Sequence, residues 1–236
     1  MTQLAGSTIL VTGANGGLGT EFVRQALARG ASRIYATARK PQAWGDERVV
    51  PLALDVTDAT SIAAAVAAAG DTTILINNAG ATVAPGLVTT PLDKVRALYE
   101  TNVFGPLAVA QAFAPVLARN GGGALVDIHS ALSWLAAPGA YSSTKAALWS
   151  ITNTLRVELA GQGTRVVGAH LGYTDTPLIA HLDVEKSDPR DIVAAIYDGL
   201  EAGQDEILAD DTSRWVKQQL SGPLSALYPQ LAAAQG

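Results

Sequence analysis

Short runs of β-branched and aliphatic residues alternate with longer alanine- and leucine-rich segments along this chain. The short runs are apolar at almost every position, which is typical of parallel strands buried on both faces. The longer segments carry apolar residues at helical spacing. This pattern predicts strands at 7–13, 33–38, 49–54, 72–77, 123–130, 164–172 and 206–209. It predicts helices at 19–31, 58–69, 92–120, 140–161 and 189–203.

Alternation of strands and helices favours an α/β fold with a parallel sheet. We therefore expect a doubly wound parallel sheet of about seven strands with helices on both faces. No linker, repeat or low-complexity tract interrupts the chain, so we predict one domain over residues 1–236. Asp58 is a predicted helix N-cap and Pro189 a first-turn residue. The long helix at 92–120 is expected to bend near Gly105 and Pro106.

Composition narrows the classes of function. The chain has 236 residues, of which 48% are hydrophobic, and a net charge of −5 without a basic block, so nucleic acid is not an expected partner. The absence of cysteine excludes disulfides, thiolate metal sites and a cysteine nucleophile. The three histidines lack metal-ligand spacing, so no metal is expected. No signal peptide begins the chain, and the apolar run at 61–70 is too short to span a bilayer, so we expect a cytoplasmic protein without membrane contact.

A glycine-rich turn, TGANGGLG, joins the first predicted strand to the first helix at Thr12–Gly19. Glycine permits positive φ and a close approach of backbone to ligand. The helix that follows directs its N-terminal amides at the same place, which favours a pyrophosphate. An ordinary glycine-rich turn is the alternative, but the position on the first strand of a βαβ pattern predicts nucleotide binding.

The end of the second strand bears on the choice of cofactor. NAD sites of this kind usually have a carboxylate there, which accepts a hydrogen bond from the ribose 2′-hydroxyl. This chain has Ala38 and Arg39, then Lys40, and the first acid is Asp46. A guanidinium pairs well with a 2′-phosphate, so we predict NADP(H) over NAD(H), the alternative being that Arg39 is a solvated loop charge.

Tyr141 and Lys145 lie four residues apart in a predicted helix and therefore share a face. A neighbouring ammonium stabilises a phenolate, so Lys145 is expected to lower the pKa of Tyr141 toward working pH. A solvated surface pair is the alternative. The position after the fifth strand, in a chain with a phosphate turn, favours a catalytic pair.

Several segments together resemble the short-chain dehydrogenase/reductase family. Thr12 with the G-x-x-x-G-x-G turn and the Tyr-x-x-x-Lys pair match its motifs. So do LDV at 54–56, NNAG at 77–80 and HLGYTDTP at 170–177, although Leu171 replaces the family's proline. The resemblance covers roughly residues 5–210 and implies a single-domain Rossmann fold.

The resemblance also implies a catalytic set of Asn102, Ser130, Tyr141 and Lys145. Ser130 directly follows the fifth strand and is preferred. Ser133 is the alternative because the loop before Tyr141 is shorter than in the family. Tyr141 would protonate the substrate oxygen, Ser130 would hold the carbonyl and Asn102 would support a water that feeds protons to Lys145.

The same resemblance implies a cofactor site along the turn and the strand ends. In it Asp55 would accept from the adenine amino group, the alternative being a turn or capping aspartate, and Asn77 would have a structural role. The implied cofactor-binding residues are Gly13, Asn15, Gly16, Gly17, Leu18, Gly19, Arg39, Asp55, Val56, Asn78, Ala79, Gly80, Tyr141, Lys145, Gly172, Thr174 and Thr176.

The implied activity is hydride transfer between NADP(H) and a carbonyl or secondary alcohol substrate, as in ketone or aldehyde reduction. A non-catalytic NADPH-sensing protein of the same fold is the alternative. The segment 177–189 stands where the family keeps its substrate loop. A homo-oligomer, dimer or tetramer, is expected through the helices at 92–118 and 141–160.

Overall fold

The computed structural model describes residues 2–82 and 86–230 of the chain. Its single sheet has seven strands that are all parallel, in the order β3-β2-β1-β4-β5-β6-β7. The strands are β1 (Thr8–Thr12), β2 (Arg33–Ala38), β3 (Val49–Ala53), β4 (Ile74–Asn77), β5 (Ala124–Ile128), β6 (Arg165–His170) and β7 (Glu206–Leu208). The predicted sheet is confirmed.

Helices cover both faces of the sheet. They are α1 (Leu18–Ala28), α2 (Ala59–Ala68), α3 (Leu92–Tyr99), α4 (Gly105–Arg119), α5 (Tyr141–Glu158), α6 (Pro189–Glu201), α7 (Asp211–Gln219) and α8 (Leu224–Leu227). One apolar core joins the sheet to α1 and α6, and a second joins it to α2, α4 and α5. This is the doubly wound Rossmann fold that the alternating pattern predicts.

The predicted helix starts and the predicted bend are also present. Asp58 caps α2 by accepting from the Thr60 backbone N–H, and Pro189 is the first residue of α6. The long helix is not regular throughout, since one turn of π-helix at Glu100–Phe104 separates α3 from α4 directly before Gly105. π-Helical turns inside helices often mark functional sites, and this one carries Asn102.

The sequence pattern predicts no element after residue 209, yet α7 and α8 follow there. Part of the predicted domain, residues 231–236, lies outside the described residues. By length and composition the stretch Leu92–Arg119 could cross a membrane. Half of its most apolar window is buried inside the protein, which is the behaviour of a core helix.

The strand order fixes where a ligand can bind. From β1 the chain first builds outward through β2 and β3, and it then returns to the other side of β1 with β4. Ligands of open α/β sheets bind at the carboxyl ends of the strands where the order reverses in this way. The glycine-rich turn, which directly follows β1, lies at that point.

Candidate active site

The glycine-rich turn has the backbone that only glycine adopts readily. Gly13 has a φ of 69° and Gly17, the N-cap of α1, a φ of 51°. At Gly19 a Cβ atom would lie 2.1 Å from the Gly13 carbonyl oxygen, so no side chain fits between turn and helix. Among the residues that the structure describes, no side chain caps α1. The N-terminal amides of α1 therefore face the carboxyl edge of the sheet without a side-chain competitor, as a diphosphate site requires.

The NNAG segment braces this turn. Asn78 Nδ2 donates to the Thr12 carbonyl (2.8 Å), and the backbone N–H groups of Asn78 and Ala79 both donate to Thr12 Oγ1 (2.9 Å each). Asn77 lies on the sheet instead, where its Nδ2 donates to Asp127 Oδ1 (2.9 Å) and the Pro106 carbonyl (3.1 Å). Both asparagines thus hold backbone or strand positions, with Asn78 directly under the turn.

A second brace links the turn to the loop after β2. Asn15 Nδ2 donates to the Lys40 carbonyl (2.6 Å), and Asn15 Oδ1 accepts from the Gln42 backbone N–H (3.3 Å). This places the exposed Arg39 beside the glycine turn. The guanidinium of Arg39 contributes to lowering the pKa of Asp55, after the larger effect of hydrogen bonds from Thr57. Arg39 and Asp55 therefore lie on the same side of the site.

The hydrogen bonds of Asp55 are those of a turn aspartate, the alternative to adenine binding in the sequence analysis. Its Oδ1 accepts from both the backbone N–H (2.9 Å) and the hydroxyl (2.7 Å) of Thr57. Val56 is buried against Gly105, whose Cβ would lie 2.8 Å from a Val56 methyl carbon. The LDV segment is thereby fixed between α2 and the start of α4.

Asn102 is buried, and both polar groups of its side chain make hydrogen bonds. Its Oδ1 accepts from the Ala81 backbone N–H (2.8 Å), and its Nδ2 donates to the Ala81 carbonyl (3.0 Å) and to Thr144 Oγ1 (3.1 Å). Asn102 therefore joins the π-helical turn, the residue that follows the NNAG segment and the first turn of α5. These bonds use the side-chain groups that were expected to support a water beside Lys145.

Tyr141 is the first residue of α5, and Lys145 lies one turn further along the same face. Lys145 Nζ lies over the Tyr141 ring, 5.7 Å from its centroid, and donates to the Ile128 carbonyl (2.7 Å). The predicted lowering of the Tyr141 pKa is wrong for this arrangement, because burial raises that pKa and the ammonium lies over the ring face. Burial also lowers the pKa of Lys145 to about 8.

The two candidate serines lie together after β5. Ser130 Oγ accepts from the Leu132 backbone N–H (3.1 Å), while Ser133 Oγ accepts from the Ser130 backbone N–H (3.4 Å). They form a reciprocal cap on the short 3₁₀ turn Ala131–Ser133. Both serines are buried, and Ser130 is the one next to the end of β5.

The segment after β6 is held by a residue that the sequence interpretation missed. Asp210 Oδ2 accepts from the Gly172 backbone N–H (2.6 Å), while Asp210 Oδ1 caps α7 at Ser213 (2.8 Å). Leu171 is buried in the core, and its carbonyl accepts from the Ala131 backbone N–H (2.8 Å). The turn is therefore fastened on both sides although the family's proline is absent.

Thr174 and Thr176 close the site from the α1 side. Thr174 is buried and pairs with Ser187 as an isolated parallel bridge, which closes the substrate-loop segment at its base. Thr176 packs on Gly17, where a glycine Cβ would lie 3.0 Å from the Thr176 methyl. Of the predicted cofactor residues in this segment, Thr176 therefore contacts the glycine turn directly.

Asp127, a strand residue whose partners the sequence does not indicate, is buried below Lys145 on the same face of the sheet. Its carboxylate accepts from Asn77 Nδ2 (2.9 Å) and lies 2.6 Å from Thr152 Oγ1. Burial raises the pKa of Asp127, and its charge raises the pKa of Lys145 against the effect of burial. Asp127 therefore acts on the electrostatics of the Tyr141–Lys145 pair.

The structure brings the candidate groups to one edge of the sheet. Ser130 follows β5, and Tyr141 and Lys145 begin α5. Asn102 links α5 to Ala81, directly after the NNAG segment that supports the glycine turn. A phenol, an ammonium and a hydroxyl at the end of a dinucleotide site suit proton transfer to or from a carbonyl oxygen. The Trp134 ring stacks on the His170 ring with centroids 3.8 Å apart.

Comparison with known proteins agrees with this arrangement. The family model described as short chain dehydrogenase matches residues 7–187. The crystal structure of a short chain dehydrogenase from Burkholderia cenocepacia J2315 in complex with NADP is similar with a TM-score of 0.91. It shares 35% sequence identity, and the match covers 97% of this chain and 99% of that chain.

Two further relatives are similar over most of their own length. The 2-(R)-hydroxypropyl-CoM dehydrogenase of Xanthobacter autotrophicus is 32% identical, over 85% of this chain and 87% of its own. The NADP-dependent 3-hydroxy acid dehydrogenase of Schizosaccharomyces pombe is 28% identical, over 89% of this chain and 93% of its own. With the sheet order, the phosphate turn and the tyrosine–lysine pair, these matches show that the chain belongs to the short-chain dehydrogenase/reductase family of oxidoreductases.

Proposed function

We propose that this protein transfers a hydride between NADP(H) and a carbonyl or secondary alcohol substrate, and that it reduces ketones or aldehydes. One observation carries the proposal. Tyr141 and the buried Lys145 begin α5 beside Ser130, at the carboxyl edge where the glycine turn lies. A half-buried phenol beside a buried ammonium has a chemical use in that place, because the pair can deliver a proton to an oxygen that becomes anionic.

The residues present fit a dinucleotide. The positive φ of Gly13 and Gly17 and the lack of room for a Cβ at Gly19 form a cradle at the start of α1. The exposed Arg39 and Lys40, with no acid at the end of β2, suit a 2′-phosphate. When bound, the nicotinamide supplies or accepts the hydride. The bound NADP of the Burkholderia structure and the name of the Schizosaccharomyces relative support NADP(H) for this chain.

The chain's own residues would then bind, orient and move the proton. Ser130 Oγ holds the substrate carbonyl, and Tyr141 gives its proton to the oxygen or takes it back in the reverse direction. Lys145 keeps positive charge beside the phenol, whose pKa is raised by burial. Asn102 connects the first turn of α5 to the end of the NNAG segment through Thr144 and Ala81, the residue after that segment.

The first experiment follows nicotinamide absorbance with a panel of ketones, aldehydes and secondary alcohols, with NADP(H) and NAD(H) in parallel. We expect turnover with NADPH and its loss in Tyr141→Phe. Tyr35→Phe is the matched control, because the Tyr35 hydroxyl binds Asp71 (2.8 Å) away from the site. NADPH binding without turnover of any substrate in the panel would favour the non-catalytic sensor.

Cofactor choice is tested separately. Arg39→Ala should raise the KM for NADPH about tenfold or more, the scale of a charge-assisted hydrogen bond, and leave that for NADH unchanged. Arg33→Ala is the control, because Arg33 begins the same strand and pairs with Asp71 (3.0 Å). An equal effect of Arg39→Ala on both nucleotides would contradict the assignment.

We also propose a cytoplasmic homo-oligomer formed through the helices 92–118 and 141–160. Phe104 at the end of the π-helical turn is 51% exposed, and Val157 on α5 is 79% exposed, so each of these helices presents an apolar side chain that a partner subunit could cover. Light scattering of the purified protein should give a dimer or tetramer, and Val157→Glu should shift it toward the monomer. A monomeric wild type would contradict the proposal.

A further inference from the structure

Three rings form a stack next to Ser130. The Trp134 indole lies parallel to the His170 imidazole with centroids 3.8 Å apart, and His129 stacks on the other histidine at 4.8 Å. The two histidines are buried, and His170 has no exposed surface. Neither imidazole is among the groups that the proposed function uses.

One polar contact connects this stack to the candidate active site. His170 Nδ1 lies 3.2 Å from the Ser130 carbonyl oxygen. A carbonyl oxygen only accepts, so the bond requires that Nδ1 carry the proton. The Ser133 backbone N–H donates to the same oxygen (2.9 Å). The Ser130 carbonyl therefore accepts from two donors, the His170 imidazole on β6 and the Ser133 backbone N–H in the loop after β5. Together they fix the main chain at Ser130.

The surroundings of the other ring nitrogen, Nε2, indicate that the bond from Nδ1 to the Ser130 carbonyl is the main polar contact of the His170 imidazole. Within the described part of the chain, His170 Nε2 is buried and makes no hydrogen bond, and Glu206 Oε1 lies 3.9 Å from it, beyond hydrogen-bond distance. An unpaired buried polar atom costs free energy, so a phenyl ring would pack in the same space at lower cost. What histidine adds at position 170 is the donor to Ser130.

The stack also clamps the short loop between Ser130 and Tyr141. Lys217 Nζ of α7 lies over the Trp134 ring, 4.6 Å from its centroid, and pairs with Glu206 (2.7 Å). The ring of Trp134 is thus held between α7 and β6. A loop fixed at its indole and at its first carbonyl leaves Ser130 little freedom to move.

We propose that His170 is a positioning residue, whose Nδ1–H holds the Ser130 main chain so that Ser130 Oγ faces the substrate carbonyl. This inference rests on the proposed function, in which Ser130 binds the carbonyl oxygen. His170 acts only through Ser130 and touches neither substrate nor cofactor.

The test separates the donor from the ring. His170→Phe keeps a planar ring for Trp134 and removes the donor. His170→Asn places an amide nitrogen where Nδ1 stands and removes the ring. We expect His170→Phe to lower kcat about tenfold, the scale of one hydrogen bond, with KM for NADPH unchanged, and His170→Asn to recover most of the loss.

Tyr197→Phe is the matched control for loss of a buried donor. The Tyr197 hydroxyl donates to the Phe22 carbonyl (2.8 Å) on the opposite face of the sheet. This variant should lose stability and keep kcat. The proposal is overturned if His170→Phe retains wild-type kcat, if His170→Asn is no better than His170→Phe, or if Tyr197→Phe lowers kcat equally.

Two further measurements keep the outcome clear. If His170→Phe does not fold, long-range ¹H–¹⁵N spectra of the wild type test the proposal through the tautomer of His170. Only three histidines contribute to these spectra, and we expect His170 to be the Nδ1–H tautomer. An Nε2–H tautomer contradicts the proposal. Tyr141→Phe is assayed alongside, and full activity there would sink the proposed function itself, whereas an inactive Tyr141→Phe with an unaffected His170→Phe sinks only the positioning role.

Discussion

At the scale of single residues, the charge of Lys145 depends on a residue that lies outside the conventional set of four. Lys145 is only 6% exposed, and its ammonium donates to a neutral carbonyl, that of Ile128. A buried ammonium needs a compensating charge. The charge that acts on it in this structure is that of Asp127, which is itself buried and is bonded by Asn77 and Thr152.

Asp127→Asn should therefore change how activity depends on pH. The carboxylate raises the pKa of Lys145, which burial brings down to about 8, so its removal lowers that pKa further. Lys145 then loses its proton at lower pH, and the alkaline limb of NADPH-dependent reduction moves to lower pH. The measurement is kcat/KM against pH. Asp198→Asn is the control, because it removes a carboxylate paired with Arg29 far from the site, and it should leave the alkaline limb at its wild-type pH. An alkaline limb that does not move in Asp127→Asn would show that Asp127 is neutral beside Lys145.

Local spacing decided which site residues could be predicted from the sequence. Tyr141 and Lys145 are four positions apart on one helix, so their shared face follows from helical geometry alone. The partners of Asp127 are 50 and 25 positions away and meet it only through the strand register and the packing of α5. No periodicity records such long-range contacts, and the same holds for the bond between Asp210 and Gly172.

At the scale of elements, the junction of β1 and α1 depends on the close approach of backbone at Gly19. Gly19→Ala should lower the free energy of unfolding by about 1–3 kcal/mol, the usual cost of overpacking, and weaken NADPH binding, because the methyl would overlap the Gly13 carbonyl. Gly16→Ala is the control, since a Cβ there meets nothing within 4 Å. Urea unfolding compares the two, and equal stability would contradict the close approach.

Helix α7 shows what the hydrophobic pattern misses. Its sequence, DTSRWVKQQ, has too few apolar residues for a clear helical stripe, yet Asp210 and Ser213 form a capping box at its start. An aspartate three residues before a serine was the available signal. The strands and the other long helices, which are strongly apolar or periodic, were predicted to within a few residues.

Asp210→Ala should affect both stability and catalysis, because one carboxylate caps α7 and holds the Gly172 backbone N–H. We expect a loss of about 1 kcal/mol or more in unfolding free energy from the cap, and a lower kcat from the loosened segment after β6. Asp58→Ala removes a comparable cap from α2 and should keep kcat. Equal kcat in both variants would mean that Gly172 needs no anchor.

At the scale of the whole molecule, the two buried histidines make folding sensitive to mild acid. Burial lowers the pKa of His170 to about 4 and that of His129 well below its ordinary value of 6.5. Below pH 6.5 the unfolded chain binds protons that the folded chain does not, so stability falls as pH decreases.

The free energy of unfolding should fall by about 1.4 kcal/mol per pH unit for each histidine below about pH 6. Urea titrations at about pH 7, 6 and 5 measure this slope. His129→Phe should reduce it, whereas replacement of the exposed loop residue His181 by alanine should not. A flat profile over this range would contradict the neutral buried pair.

The loop that carries Ser133 and Trp134 is also fastened from far along the chain, since the Ala136 backbone N–H donates to the hydroxyl of Tyr228 (2.8 Å). Domains are synthesised from the amino end, and early segments can pack before later ones exist. During translation the central strands can therefore assemble while this loop still lacks its last tether. A ribosome-bound nascent chain stalled before residue 228 would already contain the residues of all seven strands. The Ala136 backbone N–H would still lack the Tyr228 hydroxyl that accepts its hydrogen bond.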